Sequence, residues 1–331
     1  MATRGGDLAY IDRQDNEPEG RQKTLILVHG RGCKPAKNDL FGLWREALNA
    51  GVYRDGGDEQ LVRLQQVNVT STYYGDLTNA LLSETQQSFD AALDLADRRN
   101  TLAELGARTK TKQFRRAGYE VLPGRSSVKE FFADIGAPIL STLRLTDLFL
   151  SRAMPEVVAY WDTASSYHRE VSQRMIDTLL PPLKRGDDIM LIAHCLGSVI
   201  AFDALWEISR GGSVDQNVAV SKLGALITLG SPLGDEFVKS RLAGSAAVGE
   251  RKFPNNVISW SNVAAEDDYT CHDETVANDF RAMLDKRLIS RITDYRIYNL
   301  AVRYSRSNPH NALGYLIHPR IAKLVSDWLL G

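Results

Sequence analysis

The order of apolar segments predicts an α/β protein, an open and mostly parallel sheet with helices on both faces. Three observations carry this expectation. Short apolar runs, several of them β-branched, alternate with longer Ala- and Leu-rich stretches of helical spacing, as repeated β-α units do. The runs are continuously apolar, as strands covered on both sides are. Turn residues such as Gly30, Gly186 and Gly230-Ser231-Pro232 flank these runs, where loops are expected.

The elements follow in order. Residues 1–22 read as a polar leader, with Gly5-Gly6 and a Pro18 to Gly20 turn signal, and residues 23–331 as the folded domain. Thr24 to Val28 is a buried strand ending at His29-Gly30-Arg31-Gly32. Phe41, Leu43, Trp44, Ala47 and Leu48 mark a helix expected to stop at Gly51. A second strand is expected within Leu61 to Thr70, closed by Tyr73-Tyr74-Gly75-Asp76. The stretch from about 77 to 186 has few β-branched runs and reads as a helical insertion ending in a helix near Glu156 to Leu183. Its basic cluster, Arg108, Lys110, Lys112, Arg115 and Arg116, reads as a solvated face. Strands are then expected at Ile189 to Ala193, Leu223 to Leu229, Val257 to Val263 and Tyr295 to Val302. A helix covers Leu196 to Ser209. An amphipathic helix closes the chain at His318 to Leu330, with Ile321, Leu324, Val325, Trp328 and Leu329 inward.

Composition removes several function classes. The 331 residues hold 40 Lys plus Arg and 41 Asp plus Glu, a net charge of −1, which excludes a strongly basic nucleic-acid binder and an acidic disordered tail. Cys33, Cys195 and Cys271 are an odd number without framework spacing, so reduced thiols in a cytoplasmic protein are expected. They show no Cys-x-x-Cys spacing, and no metal or cofactor is expected. Met1 to Gly20 has no apolar core of a signal peptide. The most apolar stretch, Ile189 to Phe202, is interrupted by His194 and Cys195 and is too short to span a bilayer.

The sharpest motif is Ala193-His194-Cys195-Leu196-Gly197-Ser198, between an apolar strand and a helix. A nucleophile on a tight strand-to-helix turn needs small residues two positions before and after it, because larger ones collide with the backbone. Ala193 and Gly197 meet that need. The helix that starts at Leu196 points its positive end at the sulfur and favours thiolate.

With these residues the chain resembles the α/β-hydrolase superfamily, over about 24–76 and 187–331, with the helical insertion where many members carry a lid. It departs from the Gly-x-Ser-x-Gly pattern at Ala193 and Cys195. The resemblance implies a nucleophile, acid and base in that chain order. His310, in the polar loop after the last strand, is the expected base, and His318 reads as a helix cap. The acid is expected in the loop after Val263. Asp268 comes first and Asp267 nearly equal, with Asp235 after the preceding strand as a third option. The oxyanion hole would use the N–H groups of Leu196 and Arg31, with Gly32 as an alternative to Arg31. Gly30, Gly32, His194, Tyr73 and Tyr74 would border the substrate. The implied function is an esterase- or lipase-like acyl hydrolase acting on a small-molecule acyl substrate. Acyl transfer through a Cys thioester is the alternative, and a silent binding protein on the same fold is a third. The apolar side chains Phe131, Phe132, Leu143, Leu145, Leu148, Phe149 and Leu150 suggest an apolar acyl group.

Overall fold

The computed structural model describes residues 21–84, 89–109, 114–124, 154–211, 218, 220–271 and 275–331. The leader residues 1–20, Lys110, Lys112, His272 and the apolar set from Phe131 to Leu150 lie outside the described residues.

Six parallel strands form one sheet: β1 (Lys23–Val28), β2 (Asn68–Thr72), β3 (Asp188–His194), β4 (Leu223–Leu229), β5 (Val257–Ala265) and β6 (Arg291–Ile297). Their order is β2-β1-β3-β4-β5-β6, every neighbouring pair parallel. The protein is therefore α/β. Successive residues of the central strands supply two separate cores. Leu25, Leu27, Met190 and Ile192 pack with α1 (Lys37–Gln65) and the closing helix Pro319–Leu330. Ile26, Val28, Ile189, Leu191 and Ala193 pack with the helices Ser166–Arg185 and Leu196–Arg210. Helices thus cover both faces. Among the described residues no helix is long and apolar enough to cross a membrane.

Between β2 and β3 the described helices are α2 (Gly75–Glu84), α3 (Ala91–Thr109), α4 (Arg116–Glu120), α5 (Pro155–Trp161) and α6 (Ser166–Arg185). The last is a sheet-covering helix: Val171, Met175 and Leu179, four residues apart, are fully buried in the core. Its ends are set locally. Ser165 accepts from the His168 N–H, and Gly186 closes the helix at φ 74°, the left-handed cap that glycine adopts freely. α3 packs on the opposite core, with Leu105 fully buried and the Thr101 hydroxyl donating to the Val302 carbonyl.

Four elements differ from the sequence expectation, the first being the helix near Glu156 to Leu183, which is two helices, Pro155–Trp161 and Ser166–Arg185, parted by a turn that Ser165 caps. α1 does not stop at Gly51. It continues to Gln65 through a kink at Gly57, φ 71°. Gly51 serves close packing instead, since a Cβ there would lie 2.9 Å from the Ile317 carbonyl oxygen. Residues 61–65 are consequently helical, and β2 begins only at Asn68. β6 starts at Arg291 and ends at Ile297, four residues earlier than expected at its start. Both displaced strands are sheet edges, which carry polar residues that a search for apolar runs passes over.

Candidate active site

The chain runs from β1 outward to β2 and then crosses back to β3 on the other side of β1. The crevice at the carboxyl ends of β1 and β3 is such a switch point, where open α/β sheets bind ligands. The β1 loop and Cys195 both lie there.

Cys195 joins β3 to α7 (Leu196–Arg210) with φ 53° and ψ −127°. A non-glycine residue with positive φ is strained unless its surroundings hold it. Here the Cys195 N–H donates to the Leu229 carbonyl at 3.0 Å, and its own carbonyl accepts from the Ser198 hydroxyl at 2.6 Å. The small neighbours are required. A Cβ on Gly30 would lie 2.6 Å from the Cys195 Cβ, and one on Gly197 would collide with the His29 carbonyl oxygen.

His310 and Asp268 complete the cluster. The Nδ1 of His310 lies 3.0 and 2.9 Å from the two carboxylate oxygens of Asp268. The other ring nitrogen is left free of Asp268, and His310 and Cys195 are near enough to shift each other's ionisation. Asp268 also accepts from the Tyr315 hydroxyl at 2.6 Å and from the Thr270 N–H at 3.1 Å. Burial pushes the Asp268 carboxyl up, but His310 and Tyr315 outweigh it and hold the group below its ordinary value. Burial disfavours a charged His310, yet Asp268 and Cys195 raise it to about 10. Burial likewise raises the Cys195 thiol, and His310 and Arg31 reverse this, so the thiol sits below its ordinary value. The three shifts describe one coupled system in which thiolate and imidazolium stabilise each other.

The loop after β1 supplies an N–H donor. The Gly30 carbonyl lies 2.8 Å from His29 Nδ1. The Tyr74 N–H donates to His29 Nε2 at 3.1 Å, so Nδ1 carries the proton. In a trans peptide the N–H opposes the carbonyl, and the Arg31 N–H accordingly turns to the other side, toward the Cys195 sulfur. Leu196 opens α7, so its N–H has no acceptor within the helix. Gly32 is placed otherwise: its N–H donates to Glu156 at 3.1 Å.

The remaining expected residues fall outside the cluster or beneath it. Asp267, at φ 60°, accepts from the Tyr119 hydroxyl at 2.8 Å and does not reach His310. Asp235 caps a short helix through the N–H groups of Phe237 and Val238. His318 caps the closing helix through the Arg320 N–H. His194 Nε2 meets the His310 carbonyl at 2.8 Å, and the two rings lie 4.6 Å apart. It therefore braces the loop that carries His310. Tyr74 is fully buried, stacks on His29 at 3.9 Å and donates its hydroxyl to the His29 carbonyl, so it supports the loop from within the core. Tyr73 donates to the Pro35 carbonyl at 2.8 Å. Cys271 is buried, and its thiol faces the Asp268 carbonyl at 3.3 Å.

Tyr315, Gly230, Lys34 and Glu156 were not singled out from sequence. Gly230, at φ 52°, has the clearest signal, because it ends a buried strand. A Cβ there would lie 2.7 Å from Asp268 Oδ2 and 3.1 Å from His310 Nδ1. No protein-family model matches the chain and no curated protein matches it in sequence, so the chemistry of the site rests on its own geometry.

Proposed function

We propose that the protein is an acyl hydrolase of the α/β-hydrolase type, with Cys195 as nucleophile, His310 as acid and base, and Asp268 orienting the imidazole. The observation that carries this reading is the cluster itself. A cysteine on a strained strand-to-helix turn is electrostatically coupled to a histidine whose Nδ1 rests on a buried carboxylate. The order of the chain supports it: nucleophile after β3, acid after β5, base after β6, which is the superfamily's order.

The geometry supports the following sequence of steps. The thiolate attacks the substrate carbonyl carbon, and the C=O electron pair moves to oxygen. The Arg31 and Leu196 N–H groups hold that oxyanion. The oxyanion collapses, the alkoxide or amine leaves with the proton from His310, and a thioester remains on Cys195. Water then gives a proton to His310 and attacks the thioester, which releases the acid and returns the thiolate. A thioester also reacts with amines, so an added amine distinguishes hydrolysis from transfer.

The test is mass spectrometry after incubation with p-nitrophenyl esters of short and long chains, with and without an amine. The expected result is an acyl adduct on Cys195 and free acid as the product. Cys195→Ala abolishes the adduct, and His310→Ala lowers turnover by roughly 100-fold or more. An adduct elsewhere, or ester turnover that survives Cys195→Ala, overturns the reading.

A further inference from the structure

The loop between β1 and α1 is held from both sides by two buried charges that the steps above do not use. Lys34 is 8% exposed and Glu156 1% exposed. The Lys34 ammonium donates to three consecutive carbonyls, those of Arg31, Gly32 at 2.9 Å and Cys33 at 3.3 Å. An ammonium has three hydrogens, and these three carbonyls take them all. Glu156 opens α5, in a different part of the chain. Its Oε1 accepts from the Gly32 N–H at 3.1 Å and from Arg31 Nε at 3.2 Å. The peptide between Arg31 and Gly32 is therefore gripped at both ends, its carbonyl by Lys34 and its N–H by Glu156.

We propose that Lys34 and Glu156 are positioning residues, a buried clamp that keeps the Arg31–Gly32 peptide from turning and so holds the Arg31 N–H on the Cys195 sulfur. The proposal rests on the reading of Arg31 as an oxyanion donor. Two further facts support it. Glu156 Oε2 is buried with no hydrogen-bond partner among the described residues, an arrangement that costs stability and that packing alone would not favour. Lys34 is pulled down to about 7 by burial, with Arg98 acting in the same direction and Cys195, Asp94 and Glu156 opposing. The side chain is thus buried at a cost to its charge, while its three carbonyl partners fix it in the loop. Neither residue contacts substrate in this proposal. Each acts through the backbone of the loop.

The test separates the oxyanion hole from the thiolate. A short alkyl aldehyde adds to the thiolate, its carbonyl oxygen becoming the oxygen that the hole binds, whereas iodoacetamide alkylates the sulfur without forming an oxyanion. In Glu156→Ala and in Lys34→Met, kcat for the ester and affinity for the aldehyde are expected to fall together by roughly 10- to 100-fold, since displaced donors lose much of their effect. KM is expected to stay close to wild type, and the rate of Cys195 alkylation to fall by far less than turnover, since His310 remains the main group favouring the thiolate. Glu156→Gln, which keeps an oxygen for the Gly32 N–H, is expected to recover most of the aldehyde affinity. Unchanged aldehyde affinity in the folded variants overturns the clamp, as does alkylation falling as far as turnover. Should one variant fail to fold, the other still decides. A wild-type protein whose Cys195 does not react with iodoacetamide or ester overturns the functional reading instead.

Discussion

The Asp268 carboxylate is reached by His310, Tyr315 and the Thr270 N–H, and Tyr315 ties it to the sheet. The same hydroxyl accepts from the Ala265 N–H at 2.9 Å, the last residue of β5. Removing it leaves a buried N–H without its acceptor and the carboxylate one donor short. Tyr315→Phe is expected to lower stability by about 1–3 kcal/mol and to reduce turnover with little change in KM, measured by melting and steady-state kinetics. Gly230→Ala is expected to do more to turnover, because its Cβ would push directly between Asp268 and His310. Equal turnover in wild type and both variants would argue against any role for this carboxylate. The sequence marks Cys195, Asp268 and His310 through position, each in a loop that follows a strand. It does not mark Tyr315, which lies five residues past His310 in an apolar stretch and looks like ordinary core. Nor does it mark Glu156, since nothing local says that a carboxylate beside Pro155 will be buried.

α7 follows directly on Cys195 and carries a second buried acid, Asp203, about two turns further on. Asp203 accepts from the Ala243 N–H at 2.8 Å and from the Tyr160 hydroxyl at 3.1 Å. It is therefore the link between α7, α5 and the loop before β5. Burial raises Asp203 to about 7. An acid with a raised value in the folded state binds more protons folded than unfolded between about 4 and 7. Stability therefore falls as pH rises through that window, and the loss is complete above it. The full effect is up to about 4 kcal/mol. Asp203→Asn keeps an oxygen for the Ala243 N–H and carries no charge. Its melting temperature is expected to exceed that of wild type at pH 8 and to match or fall below it at pH 5. A constant difference across that range would remove Asp203 as the source. The helices and strands themselves were legible where they are covered on both sides: β1, β3, β4, β5, α7 and the closing helix lie within two residues of expectation. The misplaced ones are β2 and β6. Asn68, Thr70, Arg291 and Asp294 are tolerated there because an edge strand has one side without a neighbour.

At the scale of the molecule, the site is assembled from chain segments that lie far apart in sequence. Arg31 follows β1, Cys195 follows β3, Asp268 follows β5 and His310 follows β6. Parallel strands place all four of these ends on one edge of the sheet, and the crossover between β2 and β3 opens the crevice among them. The ionisation of the cysteine is consequently a property of the assembled sheet. His310, raised to about 10, stays charged through neutrality, and its charge favours loss of the Cys195 proton below the thiol's ordinary value. The pair is then present from the lowered thiol value up to about 10. The rate of Cys195 alkylation by iodoacetamide is expected to rise with a midpoint below the ordinary thiol value. In His310→Ala the cationic partner is gone and burial dominates, so the midpoint is expected to move upward to the ordinary thiol value or beyond. Labelling rates followed by mass spectrometry from pH 4 to 10 read both curves. A wild-type midpoint at the free-thiol value, or a midpoint that does not move in His310→Ala, would mean that the sheet does not bring these two side chains into one ionising pair.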